Sequence, residues 1–257
     1  MGLELAIHKS ESMVITNTRT YNNMRVFIEG IEIKTVPSLK YLGIHLEPKL
    51  NFTTHAMHVT SKAGKVSSNL ARIIPNISNA KPRKRRLLSG VVHSILLYGA
   101  PIWAGRMSQV GIKEMAKCHR RIALRVASAY CSVSADAALV IANIPPIDLL
   151  AKERQESFSQ KHLNARCDAG RTDIMNLWQA RWEASTKGRW TFQLIPDLRP
   201  WSRRTFGETN FHLAQALSGH GCFSSYLHSI GKLLSPACWY CNAPRDDANH
   251  TLFICDA

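Results

Sequence analysis

Residues 52–73 read FTTHAMHVTSKAGKVSSNLARI. Phe52, Ala56, Val59, Ala63, Val66, Leu70 and Ile73 recur at alternating steps of four and three, the apolar stripe of an amphipathic helix. At about 100° per residue, His55, His58, Lys62, Lys65, Asn69 and Arg72 fall to one side of it as a mostly basic flank. Pro75 ends the pattern.

Upstream of this helix the chain reads as short strands. Ser12–Thr16 is a strand candidate, Arg25–Ile28 and Ile31–Lys34 form a hairpin pattern around Glu29-Gly30, and Leu39–Ile44 is a further β-like stretch. Downstream comes Lys81-Pro-Arg-Lys-Arg-Arg86, then a buried helix over Leu87–Tyr98. A third helix over 109–128 has Ile112, Met115, Ala116, Ile122, Ala123 and Val126 on one face and Lys113, Lys117, Arg120, Arg121 and Arg125 on the other. Residues 133–185 look helical with breaks at Pro145-Pro146 and Gly170. Residues 186–209 show no period and read as a connector, and 210–234 as one or two short helices. The fold class is therefore mainly α with a short N-terminal β segment.

The net charge of +15 sits in one place. Residues 1–47 hold five bases and five acids, and residues 136–257 thirteen and twelve. Residues 48–135 hold fifteen bases and one acid, Glu114. So one-sided a segment repels itself, which points to a polyanionic partner. Alone, Lys81–Arg86 would read as a solvated run; beside two helices with basic flanks it reads as phosphate contact. The nucleic-acid-binding candidates are Lys62, Lys65, Arg72, Lys81, Arg83, Lys84, Arg85, Arg86, Lys117, Arg120 and Arg121. Tyr98, Trp103 and Tyr130 are interleaved with them, and Tyr98 and Trp103 are expected to be buried. No apolar run approaches the length of a membrane span, and the N-terminus lacks a signal-peptide layout, so a soluble intracellular protein is expected. Its polyanion is nucleic acid or an acidic membrane surface, and the basic helices favour nucleic acid, with no membrane partner.

Of seven cysteines, three fall at the C-terminus in the pattern C-x2-C-x8-H-x4-C: Cys238, Cys241, His250 and Cys255. Thiolates and imidazole suit tetrahedral zinc, and a closed set of four leaves no open position, so the expected zinc is structural. Asp246-Asp247 inside this loop reads as solvated, and Gly219-His-Gly-Cys222 as a structural turn. There is no phosphate-binding G-x-x-x-x-G-K-[ST] loop and no self-contained catalytic set.

Seven stretches in order carry a resemblance. Leu5–Glu11 matches a palm segment written L-x-x-x-K-[ST]-E, and Leu39–Ile44 a K-Y-L-G strand at a palm–thumb junction. Ser94–Trp103 matches a thumb L-L-Y-G-A-P-x-W, and Ala142–Leu150 a connector P-P-[IL]-D-L. Gly188–Thr191, the Gly219–Gly221 turn and the terminal Cys/Cys/His/Cys set complete the series. Together they resemble the C-terminal part of the reverse transcriptase polyprotein of insect non-LTR (LINE-like) retrotransposons. The resemblance implies residues 1–50 as the end of the palm, 51–130 as a basic helical thumb, 131–235 as a helical connector and 236–257 as a zinc knuckle. It implies RNA and DNA as partners and a nuclear location. It also implies a parent RNA-directed DNA polymerase with an associated endonuclease, whose aspartates, holding Mg2+, are expected upstream of Met1. Lys9 matches that polymerase's palm lysine. This segment alone is expected to grip template–primer without catalysing. The alternative is a stand-alone, domesticated zinc-knuckle protein that binds nucleic acid without enzymatic activity.

Overall fold

Glu29 and Gly30 both adopt left-handed backbone, φ 50° and 79°, as a two-residue hairpin requires. They join β1 (Val26–Ile28) to β2 (Ile31–Ile33), with Val26 opposite Ile33. The computed structural model describes residues 6–18, 25–73, 82–162, 168–205 and 208–256. Leu5, Pro75, Lys81 and Cys167 lie outside the described residues, as does the side chain of Arg83.

The stretch expected as one strand over Leu39–Ile44 is a second hairpin, β3 (Leu39–Tyr41) and β4 (Ile44–Leu46). It turns at Leu42 (φ 46°) and Gly43 (φ 84°). The cause lies far along the chain. The Tyr98 hydroxyl donates to the Leu42 carbonyl at 3.0 Å, and its ring covers Gly43 so closely that a Cβ there would meet it at 3.0 Å. Tyr98, expected to be buried, is therefore half exposed at this turn. Ser12–Thr16, expected as a strand, reduces to one bridge between Ser12 and Thr35.

The 52–73 stripe forms α1 (Thr53–Ile73), burying Phe52, Ala56, Val59 and Ala63. Its buried sector is wider than the stripe. His55, expected on the basic flank, is fully buried: its Nδ1 accepts from the His45 amide at 3.4 Å and its ring lies 6.1 Å from that of Trp103. The next helix, α2 (Pro82–Leu96), starts inside the basic run and not at Leu87. Proline is tolerated in a first turn because the N–H it lacks would have no helical partner. Arg85 then shares one face with Leu88, Val92 and Leu96, and all four are buried.

Gly99 (φ 64°), where a Cβ would stand 2.6 Å from Ile44 Cδ1, leads into the single turn α3 (Ala100–Trp103). Trp103 is fully buried, its indole N–H donating to the Tyr98 carbonyl at 2.8 Å. Ser108 caps α4 (Gln109–Ala127), which packs on α1 and α2. Then follow α5 (Ala135–Ala142), α6 (Ile147–His162) and α7 (Asp168–Ala184). The break at Pro145-Pro146 is present, whereas Gly170 lies inside α7.

The stretch 186–209, expected as a connector, contains α8 (Arg189–Leu194) and α9 (Leu198–Arg203). Helices this short show no sequence period; indole N–H groups fix them instead. Trp190 donates to Ala216 at 2.8 Å, Trp201 to Val140 at 2.7 Å, and Trp182 of α7 to Ile195 at 2.8 Å. The expected short helices beyond 210 are α10 (Phe211–Ser218) and α11 (Ser224–Ser229). The fold is mainly helical, with short strands near the N-terminus. One apolar core runs from Ile44 to Leu217, shared by the segments before and after residue 130.

Candidate nucleic-acid interface and metal centre

Exposed basic side chains are carried by α1, α2 and α4. Lys62, Lys65 and Arg72 on α1, Lys84 and Arg86 on α2, and Lys117 and Arg121 on α4 are exposed. The remaining described candidates turn inward. Arg85 is buried, and desolvation lowers its pKa. Arg120 is half-buried and donates to the Cys131 and Val133 carbonyls at 2.6 and 2.7 Å, bracing the α4–α5 turn. Lys117 is exposed but pairs with Glu114 at 2.5 Å. Arg125, outside the candidate set, joins Lys113, Lys117 and Arg121 in a row stepped by four along α4. Its signal was that spacing.

At the C-terminus one ligand atom from each of Cys238, Cys241, His250 and Cys255 comes within 4.8 Å of all the others. The Cys238 and Cys255 sulfurs are 3.9 Å apart, and Cys241 Sγ is 3.2 Å from His250 Nε2. A tetrahedron with Zn–S bonds of about 2.3 Å has S···S edges of about 3.8 Å, so the donor set fits that ion. The backbone builds it. Asn242 (φ 57°) donates from its N–H to the Cys238 carbonyl at 3.1 Å, closing the turn that presents both sulfurs. His250–Ile254 forms one wide helical turn, ending with the Cys255 amide donating to the His250 carbonyl at 2.8 Å. The Cys241 and Tyr240 amides donate toward the Cys238 sulfur and lower its pKa to about 6, which favours the thiolate, the metal-binding form.

Asp246 and Asp247, expected to be solvated, hold this loop together. Asp246 accepts from the Ser224 amide at 2.9 Å at the start of α11, and from the Thr251 hydroxyl at 2.6 Å. Burial opposes its charge, but these bonds prevail and its pKa is lowered. Asp247 accepts from the His250 amide at 2.9 Å. The Gly219–Gly221 turn is structural: the Cys222 amide donates to Gln215 Oε1 at 2.9 Å, where a Cβ on Gly221 would stand only 2.1 Å away. Its His220 ring meets Ser132 Oγ at 2.9 Å.

Comparison with known proteins finds relatives for the chain as a whole. The 115 kDa protein in type-1 retrotransposable element R1DM of Drosophila melanogaster is 28% identical over 248 residues, covering 88% of this chain. The chain is a relative of the proteins of insect R1 retrotransposable elements. A Pol polyprotein from element R1 4 of Nasonia vitripennis is 25% identical over 91% of this chain, and one from element R1 of Bradysia coprophila 26% identical over 89%. The chain spans 24%, 64% and 25% of the length of these three R1 relatives. No family model matches the chain, and no solved structure matches it. Among the described residues, no helix is long and apolar enough to cross a membrane.

Proposed function

We propose that this chain is the nucleic-acid-gripping region of an R1-type reverse transcriptase polyprotein. Residues 1–50 close the palm, 51–130 are the thumb, 131–235 the connector, and 236–257 a knuckle folded around one structural Zn2+. Its ligands are RNA and DNA in a template–primer duplex, and it works in the nucleus. A thumb holds the duplex by its backbone, which calls for basic helices nearly free of acids.

The observation that carries this reading is the set of exposed bases on α1, α2 and α4, drawn from a segment with fifteen bases and one acid. Lys62, Lys65, Arg72, Lys84, Arg86 and Arg121 are its contacts. Arg85 and Arg120 serve it from beneath, as packing and bracing groups. Polymerisation itself, with its Mg2+ and aspartates, belongs to parts of the polyprotein outside these residues. Purified chain with Mg2+, primer and template is therefore expected to give no extension, and clear extension would overturn that assignment.

Replacing Lys84 and Arg86 with glutamine tests the grip. Each lost phosphate contact reduces the slope of log K against log salt by about 0.9 on a duplex. The expected result is a slope shallower by roughly two, equal for unrelated duplex sequences. An unchanged slope would make this end of α2 a solvated surface.

A further inference from the structure

A glycine in α1 is unexplained by packing. Gly64 lies mid-helix, where glycine is the least favourable residue after proline. A Cβ built there would meet nothing within 4 Å, so the fold does not demand its absence. Gly64 lines a groove of about 220 Å³ between α1 and α4. Ser67 and Ser68, three and four residues on, stand on the same wall. Arg121 and Arg125, one turn apart on α4, form the other. No described residue offers either arginine a carboxylate partner, and the segment's one acid, Glu114, is already paired with Lys117.

We propose that this groove seats a single phosphodiester of the nucleic-acid backbone. The two guanidinium groups bind its oxygens, the serine hydroxyls complete the cradle, and the bare backbone at Gly64 lets the chain of the ligand come close. Guanidinium forks suit phosphate oxygens, and a floor without a side chain admits a sugar–phosphate strand. The site deepens the duplex-grip reading and rests on it: it names where the backbone is held most closely, and it adds Gly64, Ser67, Ser68 and Arg125 to the contacts.

The experiment uses the full chain, a short fluorescent RNA–DNA hybrid and a salt series. Three variants are compared with the parent: Gly64→Ala, the double variant Arg121→Gln/Arg125→Gln, and Lys62→Gln outside the groove. Gly64→Ala is expected to raise Tm by about 2 °C while weakening binding about tenfold, because it helps the helix and fills the seat. The double arginine variant is expected to flatten the salt slope by roughly one, the loss of the one phosphate that both guanidinium groups hold, and Lys62→Gln by roughly one as well. Inorganic phosphate at millimolar concentration should compete less well against Gly64→Ala than against the parent.

A more stable Gly64→Ala variant that binds like the parent would overturn the groove, while a flattened slope in Lys62→Gln would leave the wider grip standing. A less stable Gly64→Ala variant would show that folding needs the glycine, and would also overturn the inference. Absence of binding by the parent chain would overturn both.

Discussion

Replacing Cys238 with serine is expected to release zinc and leave residues 236–256 without a fold. These residues have almost no core of their own. Cys238, Ala248 and His250 are buried, but Trp239, Tyr240, Leu252, Phe253 and Ile254 are exposed. The burial that stabilises a domain elsewhere is missing, so the ion takes the place of the core. A structural zinc of this kind is worth on the order of 10–16 kcal/mol. Serine offers a hydroxyl that stays protonated at neutral pH, where Cys238 is already poised with a pKa of about 6. The helical body has its core between Ile44 and Leu217 and should keep its own unfolding transition. The described coupling between the two parts is narrow: Asp246 accepts from the Ser224 and Ser225 amides at the start of α11, and the Phe253 ring lies 6.4 Å from that of Trp190. Metal analysis should read one zinc per parent chain and none per variant, with fast amide exchange over 236–256 in the variant. One zinc per variant chain would refute the assignment of these four ligands.

Mild acid is expected to unfold the helical body. His55, His93 and His119 are held below their ordinary value of 6.5, at about 4, about 4 and about 3. Burial is the main cause for each. His45 and His58 add to it at His55, Arg154 at His93, and His93 at His119. At His55 the Tyr98 backbone opposes the shift without reversing it, and the Nε2 atoms of His93 and His119 are buried without a hydrogen-bond partner among the described residues. Each ring is neutral when folded and takes up a proton when unfolded below pH 6.5. Their contribution to stability is therefore intact above pH 6.5. It falls as pH drops, until about pH 4 for His55 and His93 and about pH 3 for His119.

Three groups at about 1.4 kcal/mol per pH unit remove roughly 6 kcal/mol by pH 5, comparable with the whole stability of many domains. Circular dichroism should show an unfolding midpoint between pH 4 and 6 with uptake of about three protons. His119→Gln should lower that uptake by about one proton. A chain equally stable at pH 7 and pH 4.5 would show that these imidazoles are solvated.

What the sequence discloses depends on how local the cause is. α1 was legible because its apolar stripe persists for six turns, and the β1–β2 turn because Glu29-Gly30 suits left-handed backbone. The β3–β4 turn was not, since Leu42 takes φ 46° only under the hold of Tyr98, 56 residues away. α8 and α9 were missed because each is six residues long and kept by indole bonds that a helical period cannot report.

The metal centre was readable from spacing alone: the four spaced residues are the four that converge. The basic face was readable as composition but not residue by residue. Whether Arg85 points to solvent or to Val92 depends on where α2 begins, and Arg120 is drawn inward by carbonyls beyond the end of α4. Gly64 gave no sequence signal, because its meaning comes from the empty space in front of it.

The most direct test of the central claim is hydrogen exchange of the full chain with and without an RNA–DNA hybrid duplex. Protection concentrated in 60–72 and 113–125, and lost as salt is raised, is the predicted result. Protection confined to 236–256, or none on α1 and α4, would contradict the claim that these helices hold the nucleic-acid backbone.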